Sequence, residues 1–175
     1  MSGLALRYDA PGKGFRDGGA RMDAGADDLD WTVRSFVYGF IVEHARPPAA
    51  QETAAGLGLA LEAARAACAR LNRRHALFLD PGEPGGDAIR MAHPFSGVPT
   101  PFRVHANGRA YWANCAWDAL GIPAALHADA AIEAVLAEDD APVRLAVEAG
   151  RVRGQGEVVH VLRPFRAWYD DPIDT

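Results

Sequence analysis

The sequence predicts an α+β fold, with helices first and a mixed or antiparallel sheet with short helices after them. Three observations carry this. Apolar residues recur at helical spacing from Trp31 to Arg74. Beyond His75 the apolar runs shorten and are separated by Gly, Pro, Asn and Asp. One further helical stretch, opening near Cys115, interrupts those strands.

The chain has 175 residues, 49% of them apolar, which suits one compact domain or two small lobes sharing a core. The net charge is -5, and Lys13 is the one lysine, so no basic field of the kind that dominates nucleic-acid affinity is present. Two cysteines, Cys68 and Cys115, are too few for a disulfide framework. The first residues lack the apolar core of an export signal, and no apolar run reaches the roughly 20 residues that span a bilayer. A soluble, cytoplasmic protein is expected, with no membrane partner and nucleic acid disfavoured.

Residues 1–30 are rich in Gly and Asp and are expected to be mobile or to lie over the surface. Residues 31–93 form the first expected lobe. Trp31, Phe36, Val37, Phe40 and Ile41 mark an amphipathic helix, capped by Asp28 or Asp30 and ended by Arg46-Pro47-Pro48. Ala49 to Leu57, closed by Gly56 and Gly58, is a second helix. Leu59 to Arg74 is a third, with Leu61, Ala64, Cys68 and Leu71 as its buried stripe, so Cys68 reads as structural. Ala76 to Leu79, the turn-rich Asp80–Asp87 and Ile89 to Ala92 then give strand, loop, strand. Three helices followed by such a hairpin form a winged-helix-like pattern. Arg65, Arg70, Arg73 and Arg74 would decorate its third helix, either as a DNA-reading face or, more in keeping with the acidic chain, as a solvated one.

Residues 94–175 form the second expected lobe. His93 to Pro101 is a Pro-rich connector. Phe102 to Val104 and Arg109 to Trp112 are strands joined by a hairpin turn at Asn107-Gly108. Ala131 to Leu136, Val143 to Val147, Val152 and Val158 to Leu162 are further strands. The tail from Pro164 has no clear period, although Trp168 and Tyr169 could pack back on the sheet.

The chemistry concentrates in Tyr111 to Leu126. Asn114 is a good N-cap, which makes Cys115 the first helical residue and places Asp118 three residues on, on the same face. A thiol there feels the positive end of the helix dipole, which favours thiolate. A soft nucleophile and a proton donor would then be neighbours. The plainer alternative is a small buried cysteine and a routine first-turn acid. Gly121 and Pro123 are expected to end or kink this helix.

This order of parts resembles the alkylmercury lyases, the MerB-like proteins. The likeness runs from about Trp31 to the mid-160s. It takes in the winged-helix-like lobe, the Pro99-Thr100-Pro101 connector, the run Trp112-Ala113-Asn114-Cys115-Ala116-Trp117-Asp118, and Pro123-Ala124 with Leu126. The resemblance implies protonolysis of a carbon–mercury bond. Cys115 would capture the soft metal as thiolate and Asp118 would deliver a proton to the departing carbon. Trp117, Tyr111 and His160 would line the pocket, the substrate would be small and organometallic or apolar, and no organic cofactor is implied. The family's second cysteine lies in a late Cys-Cys-His-Val-His-like run. Here that run reads Val158-Val159-His160-Val161-Leu162, so valine replaces the second thiolate and His160 is either a substitute ligand or a structural residue. His75, His93 and His105 have no ligand spacing with one another.

Two other readings stay open. The pocket could serve a different reaction, with Cys115 as nucleophile or Asp118 as acid or base, in an apolar cavity shaped by Trp112, Trp117 and Trp168. Or the chain is a non-enzymatic winged-helix regulator or thiol-based metal sensor. Oligomeric state is not legible.

Overall fold

A computed structural model of the chain describes residues 24–82, 86–135, 140–154, 156 and 159. His160, Trp168, Tyr169 and the strand expected at 158–162 lie outside the described residues, save Val159, which belongs to no helix or strand. The elements run α1 (Ala24–His44), α2 (Ala50–Leu57), α3 (Leu61–Arg73), β1 (Phe78–Leu79), β2 (Ile89–Ala92), β3 (Phe95–Ser96), β4 (Arg103–Ala106), β5 (Arg109–Ala113), α4 (Ala116–Leu126), β6 (Ala130–Val135), β7 (Pro142–Glu148) and β8 (Arg151–Arg153). The fold is α+β, and the described strands form one antiparallel sheet in the order β1-β2-β3-β5-β4-β6-β7-β8. Strands β2 and β3 pair with each other through Met91–Ser96 and Ala92–Phe95, so the sheet is continuous across residue 94.

The first helix begins earlier than its apolar spacing indicates. Residues 24–30 are already helical. Asp30, expected as a cap, lies inside α1 and is fully buried. Arg70 of α3 grips it, Nη2 at 2.6 Å and Nε at 3.0 Å from the carboxylate. Arg74 reaches Asp27 at 2.6 Å. Partners some 40 residues away therefore decide this helix start, and no local pattern announces them. The buried stripe also differs from expectation. Val33, Val37 and Ile41 face the core, at i, i+4 spacing, whereas Trp31 is 55% exposed. Phe36 turns instead onto α2, where Gly56 admits its ring. A Cβ at Gly56 would lie 2.4 Å from two ring carbons.

Removing Arg70 would leave the buried Asp30 carboxylate with the looser Arg74 Nη1 contact, at 3.7 Å. Arg70→Met is therefore expected to lower unfolding free energy by about 3 kcal/mol. Arg73→Met, at an exposed position of the same helix, should stay within about 0.5 kcal/mol of the parent. Urea unfolding of both variants checks this.

Helix α3 buries Ala64, Ala67, Cys68 and Leu71. Cys68 is a core residue whose thiol burial pushes up to about 11. The arginines of α3 are mostly committed within the fold: Arg65 to Asp87 and Glu62, Arg70 to Asp30, Arg74 to Asp27. No helix among the described residues is long and apolar enough to cross a membrane.

The Asn107-Gly108 turn forms as expected, with φ of 51° and 72° at its two residues. It sets β4 against β5 from Arg103–Trp112 to Ala106–Arg109. Strand β3 is not legible in the sequence. It has two residues between Pro94 and Gly97, too few to show an alternation. Gly97 is required there, because a Cβ would meet the Ile89 carbonyl oxygen at 2.1 Å. Nor do Gly121 and Pro123 end α4, which runs on to Leu126. Ile122 and Pro123 are buried with Ala119 on the face that packs on β4 and β5, and this packing offsets the hydrogen bond that proline cannot make.

Candidate functional site

Strand β5 delivers the chain to α4 through two anchored residues, Ala113 and Asn114. Thr100, centre of the Pro-Thr-Pro connector, donates its hydroxyl to the Ala113 carbonyl at 2.6 Å. Asn114 donates its amide to the carbonyls of Pro94 and Phe95, at 3.3 and 3.4 Å. Its own Oδ1 is buried with no hydrogen-bond partner among the described residues. Asn114 is therefore a clasp between β5 and the 93–95 turn and not the helix cap expected for it. The cap is Cys115, in an extended conformation with φ -147°. Asp118 consequently falls one position nearer the helix start, at N3.

The thiol and the carboxyl do meet. Cys115 Sγ donates to Asp118 Oδ2 at 3.7 Å. The sulfur is half-buried and Asp118 is 9% exposed. Burial pushes the Cys115 thiol above its ordinary value. The backbone amides of Asp118 and Trp117 pull the other way, although neither makes a full cap hydrogen bond to sulfur. The negative Asp118 carboxylate adds to the upward push. The helix start thus does not produce a resting thiolate, contrary to the sequence expectation, because desolvation outweighs the amide dipoles. Iodoacetamide labelling of Cys115, in a Cys68→Ala background, should accelerate with pH through a midpoint above that of free cysteine. A midpoint below it would contradict this assignment.

Two further groups complete an arc that spacing did not announce. His93 Nδ1 lies 3.6 Å from Asp118 Oδ2. Tyr38 of α1 donates its hydroxyl to the His93 carbonyl at 2.8 Å. Burial pushes Tyr38 up, so it keeps its proton, while neighbouring Arg34 pulls the other way. Gly121 lets α4 close on the same turn, since a Cβ there would come within 3.3 Å of Pro94. Cys115, Asp118, His93 and Tyr38 come from the α4 start, the 93–95 turn and α1, up to 80 positions apart in sequence, so only the fold assembles them.

The other expected pocket residues lie in different surroundings. Tyr111 is buried in the core, its ring 5.4 Å from Phe95 and its hydroxyl donated to the Val42 carbonyl at 2.8 Å. Trp117 is 63% exposed on the first turn of α4. Trp112 sits under Arg103, 4.1 Å from ring centre to guanidinium carbon. His160 lies outside the described residues. No group of three His, Cys, Asp or Glu side chains among the described residues is arranged to hold a metal ion. A hollow of about 720 Å³ lies at the β4–β5 turn, lined by residues such as His105, Arg109, Asp129 and Glu148, and includes none of the Cys115 arc.

Residues 95–172 match the family model of alkylmercury lyase, a span that holds β3 to β8, Cys115 and Asp118. Over that span the chain is similar to the alkylmercury lyases. A solved structure of MerB2 in its mercury-bound form superposes with a TM-score of 0.55 and 19% identity, over 74% of this chain. It shares the fold. The match spans 64% of the MerB2 chain, so this protein covers a little under two thirds of that relative. No curated protein matches the sequence.

Proposed function

We propose that the protein cleaves a carbon–mercury bond by protonolysis, with Cys115 as the capturing sulfur and Asp118 as the proton carrier. The observation that carries the reading is the S–H to carboxylate contact of 3.7 Å at the start of α4, within the segment that matches the alkylmercury lyase family. Mercury is here the substrate's metal. The thiol that burial keeps protonated must lose its proton when sulfur bonds the metal, and the oxygen beside it is the acceptor in place. The same carboxyl then returns that proton to the carbon as the metal–carbon bond breaks. The sulfur–mercury bond forms, the carbon–mercury bond breaks with its electron pair going to carbon, and the hydrocarbon leaves with the thiol's proton. No outside acid or reductant is needed. Soft thiolate is the ligand type that suits this metal.

The chain's other cysteine, Cys68, sits in the core face of α3, so a second protein thiolate does not share the metal at Cys115. Product mercury would leave to an external thiol. Trp117, exposed at the mouth of α4, would form the rim. Tyr111 acts through packing, and His160 would be a further pocket residue. The test is hydrocarbon release from phenylmercury by the purified protein with a small thiol present. Benzene above the protein-free background supports the reading; background release alone rejects it.

A further inference from the structure

Arg34 differs from most arginines of the helical part. Arg46, Arg65, Arg70 and Arg74 each hold a carboxylate, at 2.6 to 2.8 Å. Arg34 has a neutral partner: its Nη2 donates to the Tyr38 hydroxyl at 3.3 Å. Its guanidinium carbon lies 4.5 Å from the centre of the Tyr38 ring and 5.5 Å from that of Trp31. Its Nε is buried and has no acceptor among the described residues. Two aromatic faces thus fix a cation while leaving part of its donor fork unused. Nε is closed off by its neighbours while the residue as a whole is half-buried, so an incoming acceptor would meet the outer guanidinium nitrogens.

The place of this cation matters as much as its state. Tyr38 connects it to the His93 carbonyl, and the His93 ring is next to Asp118. The Asp118 charge is felt at Tyr38. Arg34 is therefore on the α1 side of the Cys115–Asp118 arc, one aromatic residue removed from it. With Nε enclosed and one Nη2 hydrogen given to Tyr38, a carboxylate would be met in two-point fashion by the Nη1 and Nη2 end of the fork.

We infer that Arg34 is an anion subsite, receiving a carboxylate carried on the organic arm of the substrate whose metal end is held by Cys115. The inference deepens the lyase reading and rests on it for the role of Cys115, but the subsite itself is testable without turnover. Trp31, 55% exposed above the guanidinium, would cover an aromatic arm. Neutral organomercurials would bind without this contact, so the subsite sets preference and not chemistry.

Two arms test this. Ligand-observed NMR compares benzoate with its neutral isostere benzamide on the full chain, for wild type, Arg34→Gln and Arg34→Lys, with thermal melts to show that each is folded. Benzoate should bind in preference to benzamide, lose that preference in Arg34→Gln and keep part of it in Arg34→Lys. The second arm compares kcat/KM for 4-carboxyphenylmercury and phenylmercury. The wild-type preference for the carboxylate should be roughly tenfold to hundredfold, and in Arg34→Gln it should collapse through KM with kcat little changed. Benzoate binding that ignores Arg34→Gln, or equal substrate preference in the two proteins, overturns the subsite. If neither mercurial is cleaved while benzoate binding still depends on Arg34, the subsite stands and the lyase reading falls.

Discussion

Replacing Cys115 with serine is expected to remove hydrocarbon release from phenylmercury, by about 10³-fold or more. The hydroxyl is a hard, weakly acidic ligand, and a soft metal prefers sulfur by a wide margin. The substitution is nearly isosteric, and Cys115 is half-buried at a helix cap, where serine is a favoured residue. Loss of activity with an unchanged melting curve therefore reports on the sulfur and not on folding. Cys68 cannot stand in for it, because the residue is 4% exposed and packed among the core residues of α3. Mercury binding by mass spectrometry checks the same point, with the metal retained by wild type and lost in Cys115→Ser.

Replacing Asp118 with asparagine should separate capture from cleavage. Cys115 keeps its place as helix cap, so mercury is still held. The amide cannot accept the thiol proton and return it to carbon as an acid, which should slow hydrocarbon release by about 10²- to 10⁴-fold. Asn keeps the volume of a side chain that is 13% exposed, and it can still accept from sulfur through its carbonyl oxygen. A variant that accumulates bound organomercurial without releasing hydrocarbon is the expected result. If Asp118→Asn instead releases hydrocarbon at the wild-type rate, the carboxyl is not the proton carrier.

The sequence makes the α+β class legible because its signals are local. The period of Ala64, Cys68 and Leu71, the Asn107-Gly108 turn and the short apolar runs of β6 and β7 need no distant partner. What escapes it depends on tertiary contacts. The first seven residues of α1 are held by Arg70 and Arg74, far along the chain. The cap passes from Asn114 to Cys115 because the Asn114 amide is claimed by the Pro94 and Phe95 carbonyls. Pro123 stays inside α4 because the core pays for the missing hydrogen bond.

The site divides in the same way. Cys115 and Asp118 are visible from three-residue spacing alone, and the contact between them is present. The expected thiolate is not, since spacing reveals the helix dipole but not the desolvation that opposes it. His93, Tyr38 and Arg34 give no local signal: a Pro-rich turn and two polar residues on an amphipathic helix resemble surface features until the fold brings them to one arc.

The central claim is that one sulfur with one neighbouring carboxyl suffices to break a carbon–mercury bond. The most direct measurement is benzene release in a single turnover, by gas chromatography, from phenylmercury mixed with excess Cys68→Ala protein, alone and with Cys115→Ser added. The account predicts stoichiometric benzene from the first protein and none above background from the second. Equal release from both, or release from neither, would contradict it.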